Sequence, residues 1–196
     1  MMRLLVIVGM VCACLGCRPT TFTPKPRGYA RVEFPAHEYQ KFSDPDFPYS
    51  FEYPVYGRIV KDTLFFGQKP DNPYWLNIEF PSIGGIFYIS YKPVTSEEPL
   101  DKLIEDAHQM SFTAHSKRAD FIEPAPFVYN DNVFGILYTV GGNAASAYQF
   151  IATDSVKHFV RGALYFDVSP NADSLRPANE FLKKDMMHLL QTLQWK

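Results

Sequence analysis

Beyond residue 28 the chain is built of short runs in which apolar and polar side chains alternate, separated by breakers. YARVEF at 29–34, YSFEY at 49–53, GRIVKD at 57–62, WLNIEF at 75–80 and IFYISYK at 86–92 send every second side chain to one face, the period of a half-buried strand. Prolines 35, 48, 54, 73, 81 and 93 lie at the ends of these runs, where a missing N–H costs no ladder bond. The rhythm then changes. In TSEEPLDKLIEDAHQMSFTAH, Leu100, Leu103, Ile104, Ala107 and Met110 recur at helical spacing; Ser96 is placed to cap the helix, with Glu97, Glu98 and Asp101 at the positive end of its dipole. Strand-like segments return near 118–122, 126–130 and 133–140, and 144–153 with 156–167 predicts a long hairpin. NADSLRPANEFLKKDMMHLLQTLQWK predicts a final helix, with Pro177 in its first turn and Ala178, Phe181, Leu182, Met186, Leu189 and Leu193 along one stripe. Locally joined strands with one helix in the middle and one at the end imply an α+β fold, an antiparallel sheet with packed helices, in a single domain over 29–196.

The front of the chain follows a different pattern. MMRLLVIVGMVCACLGC carries one charge, Arg3, and then an apolar or small run from Leu4 to Cys14, too short to span a bilayer. It predicts an export signal over residues 1–16, cleaved ahead of Cys17, whose thiol would carry diacylglycerol. Cys14, preceded by Ala13, offers a second position for the same chemistry, and an ordinary secretory leader with incidental cysteines is the alternative. Residues 18–28, RPTTFTPKPRG, hold three prolines and no apolar period, which describes an extended tether. Lys25, Arg27 and Tyr29 stand out there, because a tether has no core to fill. They are candidates for docking a partner protein or envelope polymer.

Composition narrows the chemistry. All three cysteines lie at or before position 17, so the expected domain has neither a disulfide nor a cysteine metal site. With Arg3 gone, 18 basic residues face 21 acidic ones, which gives no electrostatic case for nucleic acid. Aromatics make up 16% of the chain and concentrate in the strand runs, where they predict a core. Membrane affinity would come from acyl chains, each buried CH₂ contributing about 0.8 kcal/mol.

Ser146, Asp154 and His158 are the residue types of a hydrolase triad. With Asp154 and Ser155 as a two-residue turn, Ile151 pairs with His158, Tyr148 with Arg161 and Ser146 with Ala163. His158 and Ser146 would then lie roughly 16 Å apart along the ladder, far beyond the reach of a nucleophile and its base. His108 and His115 are separated by about 10.5 Å of helical rise, too far to share an ion. His37, His158 and His188 could meet only through the fold. Glu33, Glu52 and Glu79 alternate with apolar neighbours as the wet face of a strand does, although paired carboxylates could also serve glycan hydrolysis. Neither a P-loop nor GxGxxG occurs. No catalytic residue, metal or cofactor is expected.

Several pieces in order resemble the gliding-motility lipoprotein D family of the Bacteroidetes: TPKPRGY at 23–29, FPYSFEYP at 47–54, WLNIEFP at 75–81, YISYK at 88–92, GNAASAYQFIATDSVKHFVRGALYF at 142–166, PNADSL at 170–175 and the closing FLKKDMMHLLQTLQWK. The resemblance implies a lipid-anchored envelope component required for gliding, tied to the type IX secretion apparatus and its envelope proteins, with no enzymatic activity. Only Cys17 transfers with a defined role. RPTTF after Cys17 lacks the acidic cluster that resembles a surface-export signal, which favours the periplasmic face of the outer membrane. The long hairpin followed by an amphipathic helix is also similar in pattern to Mog1/PsbP-type α/β/α sandwiches. A glycan-binding protein or a glycan-directed hydrolase of the envelope is the competing expectation.

Overall fold

A computed structural model describes residues 32–61, 70–113 and 115–196. Seven strands form one antiparallel sheet: β3 (Arg58–Lys61), β4 (Leu76–Phe80), β5 (Gly85–Pro93), β6 (Ala119–Tyr129), β7 (Val133–Gly142), β8 (Tyr148–Thr153) and β9 (His158–Phe166), in the spatial order β3-β4-β5-β9-β8-β7-β6. Helix α1 (Leu100–Thr113) lies on one face and α2 (Ala172–Thr192) on the other. Beyond α2, β1 (Tyr39–Phe42), β2 (Tyr49–Pro54) and β10 (Gln194–Trp195) form a second, three-stranded sheet. The fold is α+β, an antiparallel sheet between two helices.

Burial follows the cover on each face. In β4 and β5 alternate residues are buried, because only the α2 face is fully packed. β8 is buried along its whole length and β9 nearly so, because α1 covers their other side. The main core joins Leu76, Ile78, Phe87, Ile89, Phe150 and Leu164 to Leu182, Met186 and Leu189 of α2, and a smaller cluster sets Leu103 and Ala107 of α1 on Ile151 and Phe159. Fully burying one such side chain contributes about 1.5–3 kcal/mol. Gly162 has no room for a side chain, since a Cβ there would run into the Phe150 ring.

Several expected boundaries move. Residues 32–34 of the YARVEF run are not a strand, and the first strand instead starts at Tyr39. Helix α1 begins at Leu100, not after Ser96: Thr95 and Glu98 close a turn on each other, with the Glu98 N–H donating to Thr95 Oγ1 at 3.0 Å and the Thr95 N–H to the Glu98 carbonyl at 3.0 Å. Glu97 and Glu98 therefore precede the helix, and Met110 is exposed while Ser111 is buried. The segments at 118–122 and 126–130 are one strand, β6, running through Pro124 and Pro126. It tolerates them because it is the edge of the sheet formed by the described residues, with no neighbour among them on its far side. Pro177 sits in the second turn of α2, not the first, because Asn171 caps the helix six residues earlier by accepting from the Ser174 N–H at 3.1 Å. The chain ends as strand β10, not as helix.

The β8–β9 hairpin differs most. Ile151 pairs with Arg161 and Thr153 with Phe159, three residues away from the expected register. Asp154 explains the shift. Its Oδ1 accepts the N–H groups of Val156, Lys157 and His158 at 2.9, 2.8 and 2.8 Å, which widens the turn to five residues, with Ser155 at φ 67°.

Candidate functional site

Helix α2 is buried on two sides. Leu182, Met186, Leu189 and Leu190 face the large sheet, while Phe181, Asp185, His188 and Thr192 form a second stripe at i, i+4, i+7 and i+11. The segment 34–56 lies on that second stripe. The Phe181 ring is stacked by Phe34 at 4.4 Å and by His37 at 4.3 Å between centroids. Asp185, with no exposed surface, accepts from His37 Nδ1 at 2.7 Å, from the Tyr39 hydroxyl at 3.0 Å and from the Tyr56 hydroxyl through its other oxygen. Tyr39 also stacks on His188 at 3.5 Å, and His188 Nε2 lies 2.7 Å from Glu52 Oε2. Thr192 Oγ1 accepts the Glu52 N–H at 3.0 Å.

A buried carboxylate costs several kcal/mol unless charge-assisted hydrogen bonds satisfy it. Here three donors do so. Burial, reinforced by the Asp185 carboxylate, pushes the Tyr39 and Tyr56 hydroxyls far above the ordinary tyrosine value, so both remain protonated donors. The arrangement is a fastening that locks the first described residues onto the last helix, 148 positions away.

On the opposite face a second polar cluster lies beneath α1. Gln149, with no exposed surface, accepts from Ser111 Oγ at 3.2 Å and from Arg161 Nη2 at 2.6 Å through Oε1. His115 Nδ1 donates to the Ser111 carbonyl at 3.1 Å, which leaves Nε2 to accept from Gln149 Nε2 at 3.4 Å. Burial and then the Arg161 charge hold the His115 ring below its ordinary value, against the Ser111 carbonyl. Burial also lowers Arg161, with Tyr165 opposing.

The sequence-predicted residues fall into three sets. Ser146, Asp154 and His158 do not form a triad: Ser146 Oγ donates to the Tyr148 carbonyl at 3.1 Å, Asp154 holds the turn, and His158 Nδ1 is hydrogen-bonded with the Tyr91 hydroxyl at 2.9 Å under the stacked Trp195 ring. Their separation agrees with the sequence reading, although the register behind it does not. His37 and His188 do meet through the fold, at Asp185 and Tyr39, whereas His158 pairs elsewhere and His108 stacks on Phe112 at 4.2 Å. Among the described residues no group of three His, Cys, Asp or Glu side chains could hold a metal. Glu52 and Glu79 are half-buried, engaged by His188 and Arg58 respectively. Cys17, Lys25, Arg27 and Tyr29 lie outside the described residues. Asp185 was missed because an acidic residue on an amphipathic helix ordinarily faces water; the available signal was its place on a second stripe with Phe181 and His188.

The family model of the gliding motility lipoprotein GldD matches residues 19–195. The chain belongs to the GldD family. That membership makes it a gliding-motility lipoprotein by family and implies association with the cell envelope. No helix among the described residues is long and apolar enough to cross a membrane. No curated protein matches the chain. Among solved structures it is similar to cyanobacterial PsbP (CyanoP) from Synechocystis sp. PCC 6803, at 12% identity and a TM-score of 0.48, over 85% of this chain and 98% of that one. The Asp185 fastening and the cluster beneath α1 both fall within the GldD match.

Proposed function

We propose that this GldD-family chain is a lipoprotein anchored by Cys17 to the periplasmic face of the outer membrane, a non-catalytic scaffold of the gliding and type IX secretion machinery that binds partner proteins of the envelope. The observation that supports this most is the fastening of segment 34–56 to α2 through Asp185. A scaffold on a tether must pass displacement of its anchor into the domain that carries its partners. Here the first described residues are held by a buried carboxylate and two stacked rings, so a pull from the tether side reaches the core helix directly. Lys25, Arg27 and Tyr29 would add a docking point on the tether itself.

The test is complementation of a gliding deletion strain. Wild type should restore gliding and acylated membrane partitioning, and Cys17→Ala should lose both. Asp185→Ala should stay acylated and membrane-bound while gliding and recovery of crosslinked partner fall. Lys25→Ala with Arg27→Ala should reduce crosslinking with the domain intact. A deletion strain that glides normally, or Cys17→Ala still carrying acyl chains, would overturn the proposal.

A further inference from the structure

The sheet face beneath α1 carries an unfinished hydrogen-bond network. Of the four buried side-chain polar atoms without a partner among the described residues, three lie on this face: Asn77 Oδ1, the Tyr138 hydroxyl and Arg161 Nε. Register spreads them over five strands, with Asn77 on β4 and Tyr138 on β7 at opposite ends of one row and Arg161 on β9 in the next. Asn77, Tyr88, Ala163, Gln149 and Tyr138 form one cross-strand row, and Ser90, Arg161 and Ile151 form the next. Buried polar atoms are ordinarily paired, and of these three residues Arg161 is the one that lines a cleft.

Arg161 is the centre of it. Its Nη2 donates to Gln149, a neutral amide, and no carboxylate among the described residues lies within ion-pair distance. A largely desolvated guanidinium without an anion is costly, and a residue that only packed against Ile151 and Phe159 would not need the charge. Beside it a cleft of about 130 Å³ opens between α1 and strands β5 and β9, lined by Trp75, Leu103, Met110 and Phe159 on its apolar side and by Ser90 and Arg161 on its polar side. Two further charges border it. Lys92 is already neutralised by Glu98 at 3.1 Å and Asp71 at 3.4 Å, and Asp106 is an exposed carboxylate.

We propose that this cleft binds a carboxylate carried on a short apolar or aromatic body, with Arg161 as the charged receptor. The Arg161 guanidinium, with Nε unpartnered, is the donor suited to carboxylate oxygens, beside the Ser90 hydroxyl, which donates to the Arg161 carbonyl at 3.4 Å, and the Trp75 and Phe159 rings take the body. Asp106 at the edge and the neutralised Lys92 select a single negative charge over a phosphate dianion. A free small acid and the terminal carboxylate of a peptide present the same chemistry. The site is independent of the scaffold reading, since it needs neither the anchor nor a gliding partner.

The test titrates the full chain in detergent with benzoate, benzamide and inorganic phosphate, following heat and the Arg161 Nε–H resonance. Benzoate should saturate and shift that resonance, with benzamide and phosphate each about tenfold or more weaker, because a charge-assisted pair is lost or mismatched. Arg161→Gln should weaken benzoate about tenfold or more, and Asp106→Asn should tighten it by about threefold. N-acetylphenylalanine that competes with benzoate would assign a peptide terminus, and failure to compete would assign a free acid; both support the site. Benzamide matching benzoate, or a resonance unmoved at saturation, overturns it. Should Arg161→Gln fail to fold, the resonance in the unchanged protein decides the matter.

Discussion

A buried charge and a half-buried one lie on opposite sides of the seven-stranded sheet, and the protein treats them differently. Asp185, under segment 34–56, has three donors converging on its two oxygens. Arg161, under α1, has neutral partners in Gln149 and Tyr165 and nothing on Nε. The first network is enclosed, with no exposed surface at Asp185. The second is open beside a cleft. Satisfaction of buried groups, more than burial itself, separates a structural charge in this fold from one that awaits a ligand.

That contrast can be broken by measurement. Asp185→Ala removes the shared buried acceptor and should cost about 3 kcal/mol in urea unfolding, since three half-buried donors lose their partner. His37→Ala removes one donor and one face of the Phe181 stack, and should cost about 1.5 kcal/mol, with faster amide exchange confined to residues 34–42. Acid should act on both faces, through His115 beneath α1 and His158 beside Tyr91 and Trp195 on the α2 side. His115 and His158 both have values held below the ordinary 6.5, by burial first of all, so the unfolded chain takes up protons that the fold refuses. Stability from these rings is full above pH 6.5 and declines as pH falls from there through their folded values, by at most about 1.4 kcal/mol per pH unit for each ring. His115→Gln should flatten that slope in denaturation measured from pH 7 to pH 5. Arg161→Met should leave stability within about 1 kcal/mol of wild type, because an apolar side chain removes a charge that had no counterion. A loss as large as that of Asp185→Ala would place both charges in one class. Arg58→Ala, which opens the exposed pair with Glu79, should change the midpoint by no more than about 0.5 kcal/mol.

Legibility in the sequence divided along the same line. Strands β4 and β5 could be read from period, because each presents one packed face and one wet face, and the core stripes of both helices recur at helical spacing. β1 and β10 could not, being short and held mainly by pairing with β2. The hairpin register failed on a single side chain, Asp154, whose three backbone acceptances no periodicity encodes. Of the candidate site, His37 and His188 were singled out, but not the carboxylate that joins them to the fold. Two apolar or aromatic stripes on one helix announce burial from both sides, and Asp185 sits on the second. Arg161 had its own signal, a lone charge inside HFVRGALYF, a run too continuously apolar to belong to a strand with a wet face.

Strand β2 is paired on one side by β1 and on the other by β10, and Lys196 reaches the carbonyl of Asp44 across 152 positions of chain. The small sheet is therefore knitted from the earliest and latest parts of the domain. Without Gln194 and Trp195, β2 would keep one vacant edge, so an intact small sheet reports that both ends of the described domain are in place.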